Sequence, residues 1–314
     1  MKFICYIGKR MLHLLPVLFG ISLMAFLLGI FSPGDPAQMA LSQGVNEPTE
    51  EEIEHKREEL GLDRPIHEQY VCWLQKVVHG DLGTSYLTKK PISSELFRRA
   101  PVTIKVAVLS VLLVIFIGIL LGLLISLCKK SMLYRILNFI SIGVISIPGF
   151  CIALLLIWVF SEKLRILPTS GIDSWKSFVM PAFALALPTI GTVMRLTESS
   201  LEKEFSRPYV VAAYSKGFST IYITVMHTLR NSMISVVTTL GNYFGGILGG
   251  SAVIEGIFSI PGMGSYALSA ISGRDYPALQ GYVLITGFIF VIIHLLVDLI
   301  SYWLNPQIRL EGDI

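Results

Sequence analysis

Residues Tyr209–Asn231 read YVVAAYSKGFSTIYITVMHTLRN, a polar stretch between two long apolar runs. It carries Lys216, His227 and Arg230, the small pair Ala212 and Ala213, and Gly217. The sequence on either side has the character of membrane, so this stretch reads as a docking element on a membrane protein. A chain with one such loop and no catalytic motif takes its instructions from a partner.

Composition supports that class. The 314 residues are 53% hydrophobic and only 15% charged, with a mean hydropathy of +0.66. That is too apolar for a soluble globular chain. A formal net charge of +3, scattered along the sequence, makes no contiguous basic patch for nucleic acid. Cys5, Cys72, Cys128 and Cys151 lie far apart, and no CxxC occurs. Neither a disulfide framework nor a zinc site is expected, and the dispersed histidines suggest no metal cluster.

The apolar residues gather into runs of about 20, the length that crosses a bilayer as helix. Six such segments predict an all-α integral membrane protein. They run over about Met11–Phe31, Val102–Cys128, Leu133–Phe160, Phe178–Leu196, Met233–Ile254 and Gly281–Leu304. The first follows Lys9 and Arg10. It is too long for a signal-peptide core and lacks an A-x-A-like site, so it reads as a retained helix. Pro148-Gly149, Pro181 and Pro188 are expected kink sites.

Basic residues in short loops set the orientation. With the N-terminus inside, the inside set includes Lys2, Lys9, Arg10, Lys129, Lys130, Arg135, Lys203, Arg207, Lys216, Arg230 and Arg309. The short outside loops keep only Lys163, Arg165, Lys176 and Arg274. Both termini are then cytoplasmic, as is a coupling loop spanning residues 197–231. The organisation that follows is a first helix within 1–31, an outer loop domain at 32–100, a five-helix core at 101–304 and a tail at 305–314. In the outer loop, Thr49 and Glu52 form a capping-box pattern for a helix that ends before Gly61. A second helix near His67–Val78 carries Tyr70, Trp73, Leu74 and Val77 at helical spacing. These aromatics are expected to pack the loop onto the outer membrane face.

The search for chemistry returns absences. There is no GxxxxGK[ST], GxSxG or HExxH. His294 and Asp298 share a face of the last helix, as a proton relay or as a packing pair. Gly241, Gly245 and Gly249 repeat every fourth residue, which serves close helix packing or a solute path. Pro261-Gly262-Met263-Gly264 predicts a tight turn, with a short helical element over Ala267–Ser272. Arg274 and Asp275 close that region, as an outer gate, a docking contact or a plain surface turn.

The loop also resembles a known pattern. Ala212-Ala213-Tyr-Ser-Lys216-Gly217, nine residues, then His227-Thr-Leu229-Arg230-Asn231 is similar to the EAA loop of ABC importer permeases, in the dipeptide/oligopeptide/nickel family. Further matches follow in order: Gly34-Asp35-Pro36, Leu60–Pro65, Gly80–Ser85, Leu167–Gly171, Pro261-Gly262-x-Gly264, Arg274–Pro277 and Asn305-Pro306-x-Ile308-Arg309. The chain resembles the first of two permease subunits, the one with the long outer loop. Val211 stands where the leading Glu is usual, and His294 where Asn is expected.

The resemblance implies a non-catalytic subunit in a bacterial inner membrane. Its implied partners are a second permease, two ATPase subunits that bind ATP and Mg, and an extracytoplasmic solute-binding protein; this chain holds no cofactor. Tyr209, Ala212, Ala213, Lys216, Gly217, His227, Arg230 and Asn231 would form the ATPase coupling loop. For Lys216 and Arg230, ordinary positive-inside bias is the competing reading. The implied solutes are peptides, or nickel or another metal as a chelate. The pattern from Ala40 through Trp73 looks slightly closer to the nickel branch. A stand-alone proton-coupled transporter using His294 and Asp298 is the alternative.

Overall fold

The computed structural model describes residues 2–32, 34–41, 48–129 and 131–304. The expected Asn305–Arg309 motif, the tail and Lys130 lie outside them. Among the described residues, every named element is a helix.

The chain opens with α1 (Lys2–Ile30), followed by three short helices, α2 (Pro36–Leu41), α3 (Glu50–Leu60) and α4 (Ile66–Val78). The Thr49 capping box forms as the sequence predicts: Thr49 Oγ1 accepts from the Glu52 N–H, and Glu52 accepts from the Thr49 N–H. Gly61 ends α3 in the left-handed region at φ 68°. Neither α3 nor α4 contains a buried residue, so these helices build no core of their own. Aromatic contact with α1 holds α4 in place. Tyr70 meets Phe26 at 5.3 Å and Phe19 at 6.2 Å, Trp73 meets Phe26 at 5.5 Å, and the Tyr70 and Ser22 hydroxyls are 2.7 Å apart.

Next come α5 (Ile92–Leu113), continued through a π turn at Val114–Gly118 into α6 (Ile119–Leu127), then α7 (Met132–Ser146) and α8 (Gly149–Leu156), which extends through a π segment to Lys163. The expected third segment is therefore not one kinked helix. The chain bends by 104° between its two limbs, Met132–Ser146 and Gly149–Lys163. Pro148 causes the break: Ile147 before it adopts extended φ −90°, ψ 125°, as a residue preceding proline prefers.

Helix α9 (Val179–Phe205) is the central post. In its most apolar stretch 61% of residues are buried, against 6–28% in the other long spans. Small residues make this possible. A Cβ at Gly122 of α6 would sit 2.6 Å from Thr197 Cβ and 2.8 Å from the Met194 carbonyl, and one at Gly191 would sit 3.1 Å from the Ser141 carbonyl of α7. Pro181 lies in the first turn of α9, where its missing N–H breaks no helical bond; Pro188 lies inside it.

The chain then forms α10 (Pro208–Ser215), α11 (Thr220–Ile223) with a π turn at Thr224–Thr228, α12 (Leu229–Ile257), α13 (Met263–Ser272) and α14 (Tyr276–Leu304). Among the described residues, four helices are long and apolar enough to cross a membrane, or up to five if the bent pair counts as one span. The expected count of six also included α12. That helix has 29 residues but is not among them; its glycines, threonines and Glu255 dilute its apolar character.

Candidate coupling loop and translocation face

Helix α10 starts with Pro208 at its N-terminus, where a fixed φ suits the first turn. It ends in hydrogen bonds from the Lys216 N–H to the Ala212 carbonyl, the Gly217 N–H to Tyr214, and the Phe218 N–H to Ala213. Gly217 has φ +81° and open space around its Cβ position. The turn selects glycine for its backbone conformation. Ser219 then caps α11, its hydroxyl accepting from the Tyr222 N–H. Helix, left-handed turn and capped helix make a compact knob.

Three elements meet beneath the knob. Tyr209 Oη donates to Glu204 Oε2 at 2.6 Å, and Asn231 Nδ2 donates to both Tyr209 Oη (3.2 Å) and Glu204 Oε2 (3.4 Å). Burial, then the bond to Glu204, raises the Tyr209 pKa and keeps its phenol a donor. Val210 and Ile223 are buried. The outer surface of the knob is apolar: Val211, Tyr214, Phe218, Ile221, Val225 and Met226 are all exposed. Phe218 stacks on Tyr222, which meets His227 edge-on. Lys216 and Arg230 are exposed and, among the described residues, their side chains have no hydrogen-bond or ion-pair partner. Ala212 is exposed and Ala213 half-buried.

The glycine repeat of α12 divides. Gly241 and Gly245 face α14, where a Cβ would meet Val297 at 2.3 Å and Phe290 at 2.3 Å; Gly249 has nothing within 4 Å. Gly249 belongs to an exposed stripe with Ser235, Thr238, Asn242, Gly246 and Gly256. Among the described residues α9 has no exposed large apolar side chain and α12 has only Val253, whereas α5–α8 and α14 carry many. Helix α5 packs on both α9 and α12 and covers one side of that pair. The polar faces of the two helices open on the other side.

At the C-terminal end of α12 the stripe meets a cleft of about 610 Å³, lined in part by Glu255, Gly256, Pro261, Ser265 and Ser269. Glu255 is fully buried and accepts from Thr103 Oγ1 (2.8 Å), Ser251 Oγ (3.1 Å) and the Ser265 N–H (2.9 Å). Gly262 and Gly264 make room for this: their Cβ positions lie 2.4 Å from the Glu255 carboxylate and 2.6 Å from Ala252 Cα. Pro261 is exposed. Arg274 is exposed at φ +53°, whereas Asp275 is 1% exposed. Asp275 accepts from Ser85 Oγ and from the Tyr86, Leu87 and Ala278 N–H groups. It ties the 80–85 motif to the last helix. Tyr86 beside it has a pKa pushed up to about 12, by burial first and then by the charges of Asp275 and Asp35.

His294 and Asp298 do not pair with each other. His294 Nε2 lies 3.0 Å from Asn242 Oδ1 on α12, and Asp298 binds Arg10 of α1 at 3.1 Å. Each joins α14 to a different neighbour.

Four residues outside the sequence-based site set matter: Glu204, Glu255, Asn242 and Arg195. Glu204 and Glu255 are carboxylates at opposite ends of α9 and α12, a visible signal. Arg195 is a charge inside the expected fourth apolar segment, and that too was legible.

Residues 96–310 match the family described as "Binding-protein-dependent transport system inner membrane component". Residues 2–107 match "Binding-prot-dependent transport system membrane comp, N-term". Over 304 residues the chain is 35% identical to "Glutathione transport system permease protein GsiC" of Escherichia coli O6:H1, covering 97% of this chain and 98% of that one. It is 34% identical, with the same coverage, to the protein of that name from Shigella flexneri serotype 5b. Among solved structures, one of the inward-facing MetNI methionine ABC transporter aligns with a TM-score of 0.58 at 16% identity, over 67% of this chain and 96% of that one. That likeness is one of fold.

Proposed function

The chain belongs to the family of binding-protein-dependent transport system inner membrane components and is a non-catalytic permease subunit of an ABC importer; from that premise we propose that it carries small peptides, driven through its 209–231 knob. One observation supports the coupling role most directly. The knob exposes an apolar surface together with Lys216 and Arg230, whose side chains have no partner among the described residues, while its base is pinned to α9 and α12 through Glu204. A knob built this way seats in a groove of an ATPase subunit. Movement of that subunit then tilts α9 and α12 together.

The solute path follows the polar faces of α9 and α12, from the outer cleft inward. A second permease completes its wall, two ATPase subunits sit below, and a solute-binding protein delivers solute above. With six spans, counting α12 and the bent pair, both termini lie on one side of the membrane; the basic residues of the short loops support the cytoplasmic side for them and the outer side for the 32–100 loop. The peptide reading takes its support from the relatives named for glutathione transport, and it is preferred to the nickel branch.

The test is uptake of labelled glutathione and trialanine by cells that carry the complete importer, compared with cells lacking this chain. ATP-dependent uptake that disappears with the chain is expected. Nickel accumulation that depends on the chain, with neither peptide taken up, overturns the peptide reading.

A further inference from the structure

The geometry points to Arg195 as the residue that receives the carboxylate of the solute on its way through the path, an inference that rests on the peptide reading above. Arg195 sits seven residues before Glu202, which forms an ion pair with Lys129 at the cytoplasmic end of α6. At 1.5 Å per residue that places Arg195 about 10 Å along α9 from Glu202, at the cytoplasmic end of the apolar segment Phe178–Leu196. It is exposed, and among the described residues its side chain makes no hydrogen bond or ion pair. An arginine cannot shed its charge at any working pH. A fixed charge inside a membrane span faces a protein interior or a water-filled passage, and it takes a partner there.

The surroundings indicate a passage. Thr192 and Ser199 share the exposed face of α9 with Arg195, and no large apolar side chain is exposed there to meet lipid. The antiparallel register of α9 and α12 is fixed by the Glu204–Asn231 bond and by Ile190 and Val193 packed with Val236. That register brings Arg195 near the level of Thr238, on the exposed stripe. The same stripe reaches the outer cleft through Gly256. A solute leaving the cleft along this face meets glycines, the Val253 side chain, the Asn242 amide and hydroxyls, then the Arg195 guanidinium. A guanidinium presents a planar fork of donors that matches a carboxylate. The chemistry selects a solute with a free carboxylate, such as a peptide C-terminus.

The experiment uses the complete importer in proteoliposomes, with trialanine as the probe. Arg195→Gln, Arg195→Lys and the native chain are compared for uptake at saturating binding protein, for assembly and for melting temperature. Arg195→Gln is expected to lower uptake by about tenfold, the size of one lost charge-assisted hydrogen bond, with assembly and melting temperature unchanged. Arg195→Lys keeps most of the uptake. Unchanged uptake in Arg195→Gln overturns this inference and leaves the peptide reading standing. Failed assembly in Arg195→Gln, restored in Arg195→Lys, reassigns the charge to the contact with the second permease and also overturns it. A native importer that carries no peptide overturns the peptide reading, and this inference with it.

Discussion

Glu204 and Asn231 meet across 3.4 Å, joining the last turn of α9 to the first turn of α12. Tyr209 bonds to both side chains. The coupling knob is therefore attached to the two helices that border the proposed path. A rigid attachment transmits displacement; a loose one absorbs it.

Removing the carboxylate tests this. Glu204→Ala deletes two hydrogen bonds to a charged acceptor, each worth about 1.5–3 kcal/mol when well ordered. The expected result is normal insertion and continued ATP hydrolysis with uptake reduced about tenfold. Paired hydrolysis and uptake assays on the assembled importer check it. Uptake and hydrolysis falling in proportion would refute the attachment role.

Gly217 gives a conformational test. Its Cβ position is empty, so any penalty comes from φ +81° alone. Gly217→Asn should be tolerated, because asparagine visits the left-handed region. Gly217→Val should cost about 1–2 kcal/mol locally and uncouple hydrolysis from uptake. Equal effects from the two substitutions would point to lost contact with a partner instead of backbone strain.

The α12 glycines should separate in the same way as their surroundings. Gly241→Ala drives a methyl group to within 2.3 Å of Val297, and overpacking of this kind costs about 1–3 kcal/mol. Thermal melting in detergent should fall. Gly249→Ala meets nothing, so it should leave melting unchanged and slow uptake only.

Asp275→Ala strips an acceptor from one hydroxyl and three backbone N–H groups. With Asp275 buried, a loss of about 3 kcal/mol or more is expected. Limited proteolysis near Tyr86-Leu87 should accelerate. Unaltered proteolysis together with lost uptake would instead favour a gate at this position.

Four of the six expected spans, the capping box at Thr49 and the turn at Gly217 were legible in the sequence because each rests on local rules: apolar length, Thr49-to-Glu52 spacing, and glycine where φ is positive. The partners of His294 and Asp298 were not. Helical phase puts the two on one face, but tertiary packing gives each a partner on another helix, Asn242 and Arg10. Asp275 beside Arg274 read as a surface turn or gate; its burial depends on Ser85, 190 residues away. The division of Gly241 from Gly249 was equally hidden, since identical glycines differ only in what faces them.

The break at Pro148 bears on how the protein is made. Helix α7 has 15 residues, about 22 Å of helix, against a hydrocarbon layer of about 30 Å. Gly149–Lys163 is no longer. Neither limb can settle in lipid unaided during synthesis, and both lean on α9, through Gly191 against the Ser141 carbonyl and Gly149 against the Ala184 carbonyl. The third segment must therefore wait at the insertion machinery until the fourth emerges. Glycosylation mapping of chains truncated before Trp175 should find that segment unintegrated, and chains extended past Phe205 should carry it in the bilayer.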